Sequence, residues 1–160
     1  MDYTTGNVYF IEDAFFELVA DPYLMINYDT TMRPHYYAVR DPKTALLWMI
    51  PLSSRVKKYE TLIADRKKRK KQTMGARIIK LQGKKSVLLF QNMFPICEKF
   101  IAEQYYKWGV PVSLADPKQI KAIEQQTLHV IEMFRSGVKF LSTQPDALRI
   151  EKIMLEECRK

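Results

Sequence analysis

The fold is decided by residues 35–52, which read HYYAVRDPKTALLWMIPL. Two runs rich in aromatic and aliphatic residues, 35–40 and 45–52, flank Asp41-Pro42-Lys43-Thr44, whose residue types favour a turn. This pattern predicts a β-hairpin. The second run is apolar at almost every position, which is typical of a central strand covered on both faces.

Working outward from this hairpin, most of the other segments before position 92 also read as strands. Residues 8–11 form a short apolar run, and a short helix is predicted after it, ending at Asp21-Pro22. A second hairpin is predicted from residues 76–82, a turn at Gly83-Lys84-Lys85, and residues 86–91. Residues 56–71 favour a helix that runs into a basic loop.

The C-terminal half is predicted to be mainly helical. Residues 118–141 carry apolar side chains at helical spacing after Pro117, and Pro145 begins a last helix. Residues 96–105 are predicted as a helix, with an edge strand over residues 99–106 as the alternative. The chain is therefore predicted to be one α+β domain over residues 1–160, with a mostly antiparallel twisted sheet or a small barrel-like β core, flanked and followed by helices.

Composition points to a cytoplasmic protein that does not contact the membrane. Hydrophobic residues make up 47% of the chain, which is enough for a packed interior. The longest apolar run, residues 45–52, is far shorter than the roughly 20 residues that cross a bilayer. The N-terminal residues also lack the layout of a secretory signal.

The two cysteines predict neither a zinc site nor a disulfide. Cys97 and Cys158 are far apart in the sequence, with no CxxC pattern and no nearby histidine.

Positive charge is concentrated in one part of the chain. The formal net charge is +8, and residues 55–85 hold 13 of the 26 Lys and Arg residues against two acidic residues, Glu60 and Asp65. The rest of the chain is slightly acidic. A field concentrated on one segment suits a polyanion, and nucleic acid is the commonest soluble one.

The standard motifs of phosphate and hydrolytic enzymes are missing from the sequence. It contains no GxxxxGK[ST], GxGxxG, HExxH or GxSxG pattern, and its carboxylates are scattered. We therefore expect no metal ion and no cofactor. The remaining chemistry is RNA cleavage by side chains alone, in which the 2′-hydroxyl attacks the neighbouring phosphate and the protein transfers protons and stabilises charge.

Antiparallel pairing would bring a set of suitable groups together. His35 begins the first strand of the hairpin and Ser53-Ser54 follows the second, so these ends should be neighbours. An exposed histidine titrates near neutrality and can act as general base or acid. The serines would donate hydrogen bonds to phosphate oxygens, and Arg55, Lys57 or Lys58 would neutralise developing charge. The structural alternatives are a packed histidine and a serine turn or helix cap.

The quoted stretch and its flanks resemble a known family. Four stretches carry this resemblance: 33–39 (RPHYYAV), 48–54 (WMIPLSS), the basic run through Lys57-Lys58-Tyr59, and residues 88–95, which end in Asn92-Met93-Phe94-Pro95. They are similar to type III toxin-antitoxin toxins of the ToxN/AbiQ superfamily, most of all to its CptN-like or TenpN-like branch. The order of elements is similar over nearly the whole chain. The resemblance implies an α+β ribonuclease toxin fold, RNA cleavage that leaves a 2′,3′-cyclic phosphate, and a role in phage defence by abortive infection.

The resemblance also implies roles for particular residues. The family's catalytic serine falls on Ser54 and its hydroxyl neighbour on Ser53. His35 stands where ToxN has a lysine, and the phosphate-contacting cation falls among Arg55, Lys57 and Lys58. A family tyrosine on a C-terminal helix has no counterpart near residues 124–126, so it is not transferred.

The implied partners are RNA molecules. They are a cellular or phage RNA substrate and a repetitive RNA antitoxin that folds as a pseudoknot and stays bound, in a hetero-oligomeric assembly. Such binding needs many phosphate contacts and some stacking on aromatic rings. The predicted RNA-binding residues are Arg33, Tyr36, Arg55, Tyr59, Arg66, Lys67, Lys68, Arg69, Lys70, Lys71, Lys84 and Lys85.

Two other functions are compatible with the sequence. One is a non-catalytic RNA- or DNA-binding adaptor, in which His35 and Ser54 only shape a turn. The other is an RNA-cleaving toxin that is neutralised by a protein instead of an RNA.

Overall fold

A computed structural model describes residues 2–71 and 75–160. Its central feature is a seven-stranded antiparallel sheet with the main path β4-β5-β3-β2-β1-β7, while β6 pairs with β3 beside that path. The strands are β1 (Val8–Ile11), β2 (His35–Arg40), β3 (Leu47–Ser53), β4 (Ala76–Leu81), β5 (Lys84–Leu89), β6 (Phe94–Ile96) and β7 (Ile101–Gln104). The sheet is open, so the first of the two predicted β architectures is confirmed.

In the described parts of the chain, four helices and a small separate hairpin accompany the sheet. The helices are α1 (Asp13–Val19), α2 (Val56–Lys68), α3 (Pro117–Arg135) and α4 (Ala147–Cys158), and the hairpin consists of β8 (Tyr106–Lys107) and β9 (Val110–Pro111). The predicted α+β class is therefore confirmed. None of these helices is long and apolar enough to span a membrane.

The quoted hairpin forms the centre of the molecule. β3 pairs with β2 along most of its length, while its first half also pairs with β6 and its last residues with β5. Its side chains therefore enter two cores. Trp48 and Ile50 pack with residues of α3, such as Ile131, whereas Met49 packs with α1 and α4 residues such as Phe15 and Ile150. The predicted burial of this strand on both faces is confirmed.

The predicted helix over residues 96–105 is wrong, and its alternative is right. A short 3-10 turn at Glu98–Phe100 leads into β7, an edge strand that pairs with β1 through Phe10 and Glu103. The apolar residues of this segment have the spacing of a helix, but a turn followed by a strand directs them toward the core. Pairing with β1 supplies the backbone hydrogen bonds that a helix would otherwise form internally.

Two other boundaries differ from the predictions. α3 ends at Arg135 instead of residue 141, because the chain reverses at Gly137, which has φ of +86°. The β4–β5 turn lies at Gln82 and Gly83, both with positive φ, so Lys84 and Lys85 belong to a strand and not to the turn.

The expectation that the cysteines are unpaired is also wrong. Cys97 and Cys158 form a disulfide, with their Cα atoms 5.9 Å apart and a sequence separation of 61. Packing of α4 beside β6 brings the last turn of the chain next to the residue that follows this strand. The pairing depends on that docking, which sequence spacing does not reveal.

Candidate functional site

The end of β3 opens into a cleft of about 190 Å³. Ser53 and Ser54 line it, as do residues from the start of β5, because Ser53 pairs with Val87 across the sheet. Pairing between the two predicted hairpins therefore creates the cleft. Its other lining residues include Tyr28, Pro34, Leu52, Leu81, Gln82, Lys84, Lys85, Ser86, Tyr105, Lys107 and Val112.

The two serines have different surroundings. The Ser53 hydroxyl accepts a hydrogen bond from the backbone N–H of Arg55 at 3.2 Å, which closes a serine turn before α2. Ser86 donates its hydroxyl hydrogen to the Ser53 carbonyl at 3.5 Å. Ser54 is exposed on the cleft. Ser53 thus shapes the turn, while Ser54 is the exposed serine among the residues that line the cleft.

Three lysines give the cleft its positive charge. Lys84 and Lys85 come from β5 and Lys107 from the β8–β9 hairpin. Lys85 lies 3.2 Å from the carboxylate of Glu60, with both side chains about half exposed, so water weakens this pair. Ammonium groups next to hydroxyl donors are the groups that a phosphate ion or phosphodiester binds. The cleft brings together Lys84, Lys85, Ser53 and Ser54 from the predicted site.

His35 lies close to the serines along the backbone, but its side chain is not at the surface. It pairs with Pro51, two residues before Ser53, so the predicted neighbourhood is confirmed. The imidazole, however, is completely buried, with the rings of Phe16 and Phe94 at 6.2 and 5.4 Å. Its Nδ1 lies 2.9 Å from the Arg33 carbonyl, which assigns the proton to Nδ1.

This burial overturns the expectation that His35 titrates near neutrality. Removal from water lowers its pKa to about 3, although the hydrogen bond to the Arg33 carbonyl acts in the opposite direction. A group that stays neutral and out of contact with solvent cannot exchange protons with a substrate in the cleft. The predicted general acid or base role is therefore not supported, and the structural alternative for this histidine applies.

The two tyrosines predicted to stack on RNA are also buried. Tyr36 is fully covered, and this burial raises the pKa of its phenol. Tyr59 packs on α2 against Ala76, Val87 and Leu89. The Tyr36 ring fills a core position and offers no free face to a base, so stacking by this residue is not supported. Tyr59, although mostly buried, also lines a groove beside α2, and stacking by its ring stays a prediction.

The remaining predicted cations lie around the cleft or away from it. Arg33 holds its guanidinium 4.5 Å from the ring of Tyr28, a residue of the cleft. Arg55 and Lys57 are exposed at the start of α2 but are not among the residues that line the cleft. Lys58 faces a different groove.

That second groove has a volume of about 570 Å³ and lies between α2 and the segment after α3. Lys58, Arg66 and Lys71 line it together with apolar side chains such as Leu62 and Leu141. Lys67, Lys68, Arg69 and Lys70 are exposed beside it, and Arg69 lies 3.5 Å from Asp65. Residues 66–71, which we call the basic block, are therefore separate from the lysines of the cleft.

Sequence reasoning missed several residues of the cleft. Tyr28 lies in a polar loop and Tyr105 between two strands, and neither has a local pattern that sets it apart. Lys107 lies outside the basic segment at residues 55–85. Lys84 and Lys85 were predicted as RNA-binding residues, but their position in a strand was missed. A two-residue turn at Gln82-Gly83 would have indicated that both lysines belong to the strand that follows it.

Comparison with known proteins finds similarity in structure only. No protein-family model and no curated protein matches the chain. AbiQ, a lactococcal anti-phage endoribonuclease belonging to the type III toxin-antitoxin system, matches with a TM-score of 0.72 and 13% identity over 98% of this chain and all of its own. A structure from work on bacterial type III systems, which describes selective toxin inhibition by a non-coding RNA pseudoknot, matches with a TM-score of 0.65 and 14% identity at the same coverage. The likeness shows a common fold.

Proposed function

We propose that this chain, which has the fold of the type III toxin-antitoxin structures it matches, is itself a metal-independent endoribonuclease toxin. One observation carries the proposal: the exposed Ser54 hydroxyl shares a cleft with Lys84, Lys85 and Lys107. Hydroxyl donors and ammonium groups that converge on one small space suit a phosphodiester. The likeness of the whole fold to an endoribonuclease, AbiQ, supports the same conclusion.

The reaction requires little from the protein. The 2′-oxygen forms a bond to phosphorus, the bond from phosphorus to the 5′-oxygen breaks, and a 2′,3′-cyclic phosphate remains. The proton of the 2′-hydroxyl passes to solvent water, since no carboxylate or imidazole is among the described residues that line the cleft, and the 5′-oxygen receives a proton from an acid. Ser54 and the lysines stabilise the extra negative charge of the phosphorane. The Tyr28 phenol and the lysine ammonium groups in the cleft are the donors available for the leaving oxygen.

His35 is not part of this mechanism because it is buried, and Ser53 acts mainly by holding the turn that presents Ser54. Arg33, Arg55 and Lys57 extend the positive surface beside the cleft and bind the RNA chain away from the cleaved phosphate. The proposed substrate is cellular or phage RNA in the cytoplasm, which the protein cleaves with some sequence preference.

The proposed inhibitor is a repetitive RNA that folds as a pseudoknot, as in the toxin inhibition described for the second matching structure. The basic block Arg66–Lys71 and the groove beside it supply a phosphate-binding surface apart from the cleft. An RNA bound to both surfaces would cover the cleft and form an assembly of protein and RNA. A toxin that is inhibited by a protein would not need this second basic surface.

The activity test is RNA cleavage in EDTA by the purified protein and by Ser54→Ala. We expect the wild type to produce fragments with 2′,3′-cyclic phosphate and 5′-hydroxyl ends, and Ser54→Ala to lose about 100-fold or more in rate, as expected when a donor to developing charge is removed. Ser142→Ala removes another exposed serine hydroxyl and should keep full activity.

Two results would contradict the proposal. RNA that stays intact but bound would favour the non-catalytic adaptor. Cleavage that is equal in Ser54→Ala and the wild type would place the reaction outside this cleft. An oligonucleotide with a single 2′-deoxynucleotide at the cleavage position should resist, because it lacks the attacking hydroxyl.

A further inference from the structure

The β8–β9 hairpin exposes apolar side chains that the fold does not require there. Trp108 at its tip is 85% exposed, which is the highest exposure of any large apolar residue in the described parts of the chain. Tyr106 and Val110 beside it are 56% and 55% exposed. An exposed cluster of this kind, rimmed by charge, is typical of a binding surface.

The turn itself does not explain the tryptophan. Trp108 and Gly109 are the two turn residues, with φ of +52° and +75°. Such a two-residue turn favours asparagine, aspartate or glycine at its first position, and a bulky side chain is strained in this region. A less suitable residue at an exposed tip is consistent with selection for binding.

The hairpin is attached to the wall of the cleft that contains Ser54. Tyr105 and Lys107 line the cleft, and the ammonium group of Lys107 lies 5.0 Å from the centre of the Trp108 ring. The base of the hairpin is held by a backbone hydrogen bond from Val112 N–H to the Tyr105 carbonyl at 2.8 Å. The Gln82 side-chain amide also donates to the Pro111 carbonyl at 3.2 Å. Trp108 therefore stands next to the cleft on an anchored support.

We infer that Trp108 stacks on an unpaired RNA base next to the phosphate held in the cleft, while Lys107 binds the backbone between them. This inference rests on the proposed function. The charge of the surface selects the ligand class, since Lys84, Lys85 and Lys107 surround the same cleft. Proteins bind single strands by combining cations along the backbone with aromatic rings under the bases. Trp108 thus positions the substrate beside Ser54.

The tryptophan content of the chain offers a direct test. The only two tryptophans are Trp48, which is fully buried, and Trp108. A single-stranded 2′-O-methyl RNA of mixed sequence cannot be cleaved and should quench the emission of Trp108. We expect Trp108→Ala to weaken binding of this RNA by about 5- to 150-fold, the range for loss of one stacked base. Trp108→Phe should keep most of the affinity.

Leu18→Ala is the matched control, because it removes a half-exposed apolar side chain from α1 and should leave affinity unchanged. Unchanged affinity in Trp108→Ala, or emission that RNA does not alter, would overturn the inference even if the wild type cleaves RNA. A stable complex with a protein that requires Trp108, while RNA binding does not, would assign the hairpin to a protein partner and overturn it as well. RNA binding that depends on Trp108 without any cleavage would support the stacking and contradict the proposed enzyme.

Discussion

His35 shows how strongly one residue depends on its surroundings. The same histidine would titrate near pH 6.5 in water, but here it is enclosed by Phe16 and Phe94, and burial lowers its pKa to about 3. Nothing in the strand sequence indicates this, because one covering ring comes from α1 and the other from β6. The residue that looked most reactive in the sequence contributes to the core.

The buried imidazole predicts a pH-dependent stability. Between pH 6.5 and about 3 the unfolded chain binds a proton at His35 that the folded chain does not bind. Acid therefore favours unfolding, and this group lowers the free energy of unfolding by up to about 1.4 kcal/mol per pH unit as the pH falls through that range. Above pH 6.5 both states are neutral at this position and the effect disappears.

The measurement is urea unfolding of the wild type and His35→Leu at pH 7 and at pH 4.5. We expect the wild type to lose more stability than the variant over this interval, because leucine does not titrate. Carboxylates titrate equally in both proteins, so the difference isolates His35. Equal losses in the two proteins would show that the imidazole is accessible to protons in the folded state.

At the level of the elements, one carboxylate joins the central hairpin to the C-terminal helices. Asp41, in the β2–β3 turn, accepts a hydrogen bond from the backbone N–H of Lys43 at 2.9 Å and another from Arg135 at 2.6 Å. Arg135, at the end of α3, also bonds Glu151 of α4 at 2.6 Å. Burial opposes ionisation of Asp41, but these hydrogen bonds outweigh it and lower its pKa.

Removing this carboxylate should destabilise the protein considerably. Asp41→Ala leaves Arg135 with one partner fewer in a largely buried place, so we expect the free energy of unfolding to fall by roughly 2–4 kcal/mol. Lys43→Ala, in the same turn, removes only an exposed pair with Glu132 and should cost less than about 0.5 kcal/mol. Denaturant unfolding measures both. Similar losses in the two variants would mean that Asp41 acts as an ordinary surface residue.

Over the whole molecule, positive charge is divided between the cleft and the basic block. Lys67, Lys68, Lys70 and Lys71 are exposed and belong to the block, whereas the cleft lysines come from β5 and the β8–β9 hairpin. A folded RNA that binds both regions gains from counterion release at each phosphate that a lysine neutralises. The salt dependence of RNA binding therefore reports how many of these lysines bind the RNA.

We expect changing these four lysines to glutamine to reduce the amount of RNA that copurifies with the protein when it is coexpressed with its locus. The slope of log affinity against log salt should also decrease by about 0.9 for each phosphate that the variant no longer neutralises. A control with equal charge change replaces Lys118, Lys121, Lys139 and Lys152, which are exposed on other parts of the chain. Unchanged retention in the first variant would place RNA binding elsewhere.

The sequence by itself determined much of the fold. Alternating turn signals and apolar runs predicted both hairpins, α1, the two C-terminal helices and the two-sided burial of β3, because these features depend on local propensity and periodicity. It also placed Ser53 and Ser54 at a strand end and named Lys84 and Lys85 as candidate RNA-binding residues, although in the turn instead of in β5. These features are set within short stretches of chain.

Tertiary structure alone decided which side chains meet water and which meet each other. His35, Tyr36 and Tyr59 became buried, Cys97 met Cys158, and residues 101–104 became a strand because distant elements packed against them. In the same way, Tyr28 and Lys107 came to line the same cleft as Ser53 and Ser54, and Trp108 remained exposed next to this cleft. Burial and proximity depend on contacts between residues far apart in sequence, so local patterns cannot specify them.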